Sequence, residues 1–247
     1  MRTFDERARA VERLLAAARA VHAARACFTA SIARSSGLSV EGVELGFASL
    51  ETAATMEELR ALIAAAGDAQ HVHVILSANV FVAPLRAIAL ARAAAARVTV
   101  RASSRDPILA RALIEAAGDA AITLASDRGA PGAEADRIDV YGRDETIAAV
   151  RAAARPGVEV RGHGAGLGVA FVPGAGGPGS RAWAAAADGL AADVVPFDQR
   201  GCLSPRVVFV EASGEGSGEG SGEGSGEGSH EESNDAEAFA VALHARL

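Results

Sequence analysis

Cys202 is the residue best suited to covalent chemistry. It lies in PFDQRGCLSPRVVFVE (196–211), between Gly201 and a Leu-Ser-Pro turn, directly before an apolar run. A cysteine on a tight turn keeps its sulfur partly exposed and close to backbone N–H groups, and Arg200 and Arg206 favour the nucleophilic thiolate. The competing reading is a buried, inert cysteine. Cys27, the other cysteine, falls on the apolar side of an apparent helix and reads as packing, and two cysteines so far apart do not suggest a disulfide framework.

Other residues have chemistry available to them. Asn79, in SANVF (77–81), reads from the residues alone as an N-cap to a helix over 80–96. His163, between Gly162 and Gly164, reads from the residues alone as a solvated loop histidine. GAGGPG (174–179) fits G-x-G-x-x-G, after the strand-like VAFV and before a helix. Pro173 and Pro178 stiffen it, and a lone match is weak, so an ordinary strand-to-helix loop is preferred. His71 and His73 alternate on one strand face with no acidic or cysteine partner at ligand spacing, so they read as strand filling and no metal site is expected. All 24 basic residues are Arg, and without Lys neither Schiff-base nor P-loop chemistry is available.

These residues need elements to position them. The chain has 247 residues, 50% of them hydrophobic and 4% aromatic, so a core would be built from Val, Leu, Ile and Ala. Capping-box pairs Thr3/Glu6 and Thr55/Glu58 start helices predicted over 3–33 and from 55 to Gly67, with a short one after Ser39. Strands are predicted at 71–76, 98–100, 121–125, 137–141, 158–162, 169–172 and 207–210. Helices are predicted at 80–96, from Asp106-Pro107 to Gly118, at 144–154, at 180–191 and at 236–247. Short strands alternating with helices predict an α/β fold with a largely parallel sheet. Four Ser-Gly-Glu-Gly copies at 213–228 read as a solvated, flexible coil.

The net charge of −7 belongs to the acidic tail from 213 onward; the body is balanced and has no basic footprint for nucleic acid. No apolar run reaches the roughly 18 residues of a membrane span. The N-terminus lacks a signal-peptide pattern, so a cytoplasmic protein is expected.

Asp-Gln-x-x-Cys-x-Ser-Pro before an apolar strand resembles the nucleophile segment of LuxC-like acyl-CoA reductases, in the aldehyde dehydrogenase superfamily. GLSVEGVELG (37–46), SANVFVAPLRAIALA (77–91), VTVRASSRDP (98–107), VYGRDETI (140–147) and VRGHGAGLGVAFV (160–172) resemble further segments in the same order, so the resemblance covers most of 1–212. It implies an aldehyde-dehydrogenase-like α/β fold: a Rossmann-type parallel sheet with N-terminal helices and a partial catalytic domain. The implied organisation is a helical region (1–66), a cofactor domain (67–163), the start of a catalytic domain (164–212), a linker (213–234) and a C-terminal helix (235–247).

The resemblance further implies that Cys202 attacks a fatty acyl-CoA, Asn79 holds the oxyanion and His163 serves as base. Arg101, Ser103 and Ser104 match the loop that holds the adenosine ribose, and Gly142 and Arg143 match the turn opening the next cofactor-side helix. Many superfamily members have a Lys there; Arg101 stands nearby instead, and Arg101 or Arg105 implies NADPH over NADH, the competing reading being two ordinary surface charges.

The family's catalytic domain continues beyond the position of Leu247, so the chain resembles a C-terminally truncated member. A shortened catalytic domain is expected to leave the 207–210 strand without a neighbour and to favour aggregation or a homo-oligomer. Two readings stay open beside the enzyme: a remnant that only binds nucleotide, and an unrelated dinucleotide binder using GAGGPG.

Overall fold

Apolar runs in the first 165 residues pair as parallel strands. The computed structural model describes residues 2–51, 53–78, 80–125, 134–164, 166–174, 177–201, 204–211 and 235–247. Asn79, Cys202 and the coil assigned to 213–234 lie outside the described residues. Two compact units are present, Met1–Ala165 and Gly166–Leu247.

In the first unit, β1 (Ala69–Ile75), β2 (Ala95–Arg101), β3 (Ile122–Leu124), β4 (Arg137–Tyr141) and β5 (Glu159–His163) form one sheet in the order β3-β2-β1-β4-β5, every pair parallel. The chain winds outward from β1 to β3 and then returns to β1's other side with β4. The carboxyl ends of β1 and β4 therefore flank a topological switch point, where open α/β sheets bind ligands.

One sheet face carries Val72, Val74, Val98 and Val100. It is covered by α1 (Phe4–Ala23), α4 (Met56–Ala66) and α5 (Ala83–Ala94), whose Leu14, Leu59 and Ile88 join these valines in one core. Burying each such Leu or Ile stabilises by about 1.5–3 kcal/mol. The alanines of α5 serve packing: Ala87, Ala91 and Ala94 are buried, and side chains this small let the helix lie close to both α1 and the sheet. The Thr3/Glu6 and Thr55/Glu58 capping boxes form as the sequence predicts. On the opposite face, α7 (Asp144–Ala153) covers β4 and β5 through Ile147 and Val150.

The helix predicted over 3–33 is broken. α1 ends at Ala23, a 3-10 turn occupies Arg25–Cys27, and α2 (Thr29–Ser36) starts afresh, followed by α3 (Val40–Ala48). Thr29 holds the break: its Oγ1 donates to the Arg25 carbonyl (3.1 Å) and lies 2.6 Å from Glu44 Oε1 on α3. Cys27 is consequently exposed rather than packed on an apolar helix face. α6 (Ile108–Ala117) follows Pro107, and Gly118 closes it at φ 53°.

In the second unit, β6 (Gly168–Val172) and β7 (Pro205–Val210) pair in parallel. The 207–210 strand thus has one neighbour, contrary to expectation, because β6 lies alongside it. α8 (Arg181–Val194), capped by Ser180, and α9 (Asp235–His244) pack on one face of this pair. Trp183 and Phe239 meet edge-on at 5.5 Å in that core, so the C-terminal helix is part of this unit.

Candidate functional site

The carboxyl edge of the five-stranded sheet carries Arg101, Ser103, Ser104, Gly142, Arg143 and His163. β2 ends at Arg101, whose carbonyl accepts from Leu76 N (3.0 Å), which ties the exits of β1 and β2 together. Arg101 and Ser104 are exposed, and Ser103 is half-buried with its Oγ accepting from Arg105 N (3.3 Å). The loop is anchored by Asp106. Its carboxylate is 93% buried, receives the Ser35 hydroxyl (3.2 Å), and burial raises its pKa. Asp106 does not take the N-cap position of the next helix; Pro107 does.

Past β1, α5 begins at Ala83 with Val82 in the cap position. Val80 and Phe81 are buried, and the Phe81 ring meets Phe47 edge-on at 5.1 Å.

β4 leads through Tyr141 into Gly142 and Arg143, and Gly142 N donates to the His163 carbonyl (3.2 Å). Arg143 is the N-cap of α7 but makes no side-chain cap bond, and Asp144 is the first helical residue rather than the cap. Unsatisfied N–H groups at such a helix start are complementary to an anion, although Asp144 and Glu145 already place acidic charge there.

His163 closes β5 and stacks on Tyr141, ring centroids 4.2 Å apart and 6° from parallel. The stack follows from register, since Tyr141 and His163 are cross-strand partners. The flanking glycines are steric necessities. A Cβ on Gly162 would lie 2.6 Å from Ile147 Cγ2, and one on Gly164 would lie 2.6 Å from Asp144 Oδ1. Partial burial holds the His163 pKa below the ordinary histidine value; Arg161, Arg137 and Arg86 push the same way and Asp139 opposes them. The ring is therefore neutral at physiological pH and able to accept a proton. Burial, helped by Asp139, pushes the Tyr141 phenol up to about 12, so it stays protonated. Tyr141 is the partner that sequence reading missed.

His71 and His73 lie on the other face of the sheet, buried. His71 Nε2 bonds Thr99 Oγ1, and its Nδ1 lies 3.1 Å from the Arg97 guanidinium. Among the described residues no group of three or more His, Cys, Asp or Glu is arranged to hold a metal.

In the second unit, the approach to residue 202 is strained. Phe197, Asp198 and Gln199 all have left-handed φ (60°, 50° and 61°), a conformation that costs non-glycine residues roughly 1–2 kcal/mol each. Gly201 follows, where a Cβ would sit 2.8 Å from Ser204 Oγ, and Ser204 N donates back to the Gly201 carbonyl (3.1 Å). Backbone strain of this kind collects at functional sites. Among the described residues of the GAGGPG loop, Gly174 N donates to Glu211 Oε2 (3.1 Å) and Gly177 N to the Gly174 carbonyl (3.3 Å), so these two donors are already engaged; Ala175 and Gly176 lie outside the described residues.

Comparison with known proteins adds to this geometry. The family model described as acyl-CoA reductase (LuxC) matches residues 130–219. No curated protein matches the chain. Among solved structures, an oxidoreductase from Marinobacter aquaeolei is similar at 13% identity and TM-score 0.63, over 99% of this chain and 51% of that one. An NAD-dependent aldehyde dehydrogenase from Sinorhizobium meliloti is similar at 15% identity and TM-score 0.62, over 97% and 48%. An NAD-dependent benzaldehyde dehydrogenase from Corynebacterium glutamicum is similar at 18% identity and TM-score 0.59, over 84% and 51%. The chain spans about half the length of these structures.

Proposed function

From a chain that has the aldehyde-dehydrogenase fold and matches the acyl-CoA reductase (LuxC) family over residues 130–219, we propose an oxidoreductase that reduces a fatty acyl-CoA to an aldehyde through a thioester on Cys202. The observation that carries this reading is that the family match includes Cys202 and the strained turn at 197–199 just before it.

The Cys202 thiolate attacks the thioester carbonyl. The tetrahedral adduct collapses with cleavage of the bond to the CoA sulfur, CoA leaves as its thiolate, and the acyl group stays on Sγ. The oxyanion of each tetrahedral state needs fixed donors. The Asn79 side-chain amide and the Cys202 backbone N–H fill that role. His163, neutral at working pH, takes the thiol proton directly or through water.

A bound NADPH would supply the hydride for reduction of the acyl thioester, with the carbonyl carbon–Sγ bond breaking to release the aldehyde and return Cys202 to the thiolate. Arg101, Ser103 and Ser104 hold its adenosine ribose, with the Arg101 guanidinium on a 2′-phosphate, and Gly142 with Arg143 borders its phosphates. The exposed Arg101, Ser104 and Arg143 at the carboxyl edge suit that assignment. Among the described residues no helix is long and apolar enough to cross a membrane, and a homo-oligomer in the cytoplasm completes the reading.

A second reading is a remnant that binds the nucleotide without turning over. One experiment separates the two. The full chain is incubated with labelled long-chain acyl-CoA, with Cys202→Ala as control and Cys27→Ser to remove the exposed thiol. Label that persists in Cys27→Ser and vanishes in Cys202→Ala is the expected result. No label, with NADPH binding retained, overturns the enzyme in favour of the remnant.

A further inference from the structure

A second charged site lies at the opposite end of the sheet, beside the amino ends of β2 and β3. Arg2, Glu6, Arg9, Ala10 and Arg13 from the N-terminal segment, Arg92 and Ala96 at the α5–β2 junction, and Asp119 line a groove of about 390 Å³. Four guanidinium groups face two carboxylates there, an excess of two positive charges.

The carboxylates are already committed. Glu6 Oε2 accepts from Thr3 N (2.8 Å) in the capping box, and Asp119 accepts from Arg92 Nε (2.8 Å) in a buried pair. Arg13 lies 4.0 Å from Asp119 and is more than half exposed. Arg2 hydrogen-bonds only carbonyl oxygens, those of Arg92 (2.7 Å), Ala95 (2.8 Å) and Glu6 (3.1 Å), while the Glu6 and Asp119 carboxylates act on its charge through space. Arg9 is exposed and acts on Glu6 through space as well. Burial, then Arg92 and Arg7, lower the Arg2 pKa, with Glu6 and Asp119 opposing.

We infer that this groove binds a small, strongly anionic molecule of the diphosphate class. Each part of the assignment follows from the lining. Guanidinium groups pair bidentately with phosphate oxygens. The volume falls in the usual range for small-molecule sites, about 300–1,000 Å³. The only apolar side chains in the wall are Ala10 and Ala96, so the ligand carries little apolar surface. Arg2 and Arg92, fixed by carbonyls and by Asp119, form the preorganised floor. Arg9 and Arg13, one turn apart on α1, close over the ligand. The site is separate from the cofactor edge: β2 starts at the groove and ends at Arg101.

Pyrophosphate is the probe. Titrated calorimetrically into the full chain at low salt, it binds more tightly than sodium chloride of matched ionic strength accounts for. The Arg9→Gln/Arg13→Gln double variant, which alters two exposed side chains and keeps the wild-type circular dichroism, weakens binding by about tenfold or more. Arg60→Gln, an exposed residue of α4 that does not line the groove, leaves it unchanged. Equal binding by the double variant, heat no larger than the chloride control, or loss of binding in Arg60→Gln each overturns the assignment.

Discussion

The open sheet faces of the two units differ in kind. In unit one, the face carrying His71, His73, Arg97, Thr99 and Thr123 is polar where it meets solvent: Arg97 and Thr123 are exposed and Thr99 half-buried. In unit two, the exposed face of β6 and β7 is apolar. Val169, Phe171, Val207 and Phe209 are 45%, 75%, 38% and 52% exposed, and Phe171 stacks on Phe209 at 5.2 Å. The inward face, with Ala170, Val172, Val208 and Val210, is as apolar as the outward one. Strands apolar on both sides belong to sheets covered on both sides. The polar face is a finished surface, whereas the apolar face has the composition of an interior.

The interior of unit one contains a buried ionic network. Arg137 donates to the Ala66 carbonyl (2.6 Å) and Asp139 (3.0 Å), Arg161 to the same carbonyl (3.1 Å), and Arg7 to the carbonyls of Ile63 (3.0 Å) and Gly67 (2.5 Å). Three guanidinium groups thus gather on the carboxyl end of α4, the end that favours cations. Arg137→Met should be the largest single loss, about 3–5 kcal/mol, because it leaves Asp139 as an unpaired buried charge. Tyr141, the only tyrosine, reports on unit one, and Trp183, the only tryptophan, reports on unit two. In urea the Tyr141 signal of the variant should shift to lower denaturant while the Trp183 transition stays in place. Coincident shifts of both would break the comparison.

The polar face carries an acid sensitivity of its own. Burial, then His71 and Arg101, lower the His73 pKa to about 4, and burial also lowers that of His71. An unfolded histidine takes up its proton near pH 6.5, which buried His73 does not do until about pH 4. Stability therefore falls as pH drops between those values, by about 3 kcal/mol for His73. Asp106, its pKa raised by burial, opposes part of this in the acid range. His73→Leu should flatten the urea midpoint against pH between 6.5 and 4; a profile parallel to wild type would refute the assignment.

The smallest effect on stability should come from the apolar face. Phe171→Ser with Phe209→Ser removes a ring pair worth about 0.5–1.5 kcal/mol but exposes no core. Hydrophobic-dye binding and light-scattering mass should both fall. Unchanged dye binding would mean that this face is not the adhesive surface.

Much of this architecture was legible in the sequence. The strands stand out as short apolar runs, and both capping boxes lie where Thr and Glu are three apart. The break after Ala23 was hidden because the Ala- and Arg-rich run has helix propensity throughout; Thr29 and Glu44 impose it from a distance. His163 was legible as a candidate, but its stack on Tyr141 depends on the β4–β5 register, which no local pattern encodes. Arg9 and Arg13 carry no local signal in the sequence; the groove exists only where Arg92 and Asp119 are brought beside them.

α5 ends at Ala94 and β2 begins at Ala95, with no residue between. There is accordingly no slack at that joint, and helix and strand form one stiff member. At about 3.3 Å per residue the strand is a rod of about 20 Å. A push at its arginine-ringed foot has no hinge in which to dissipate before it reaches the 102–107 loop at its head.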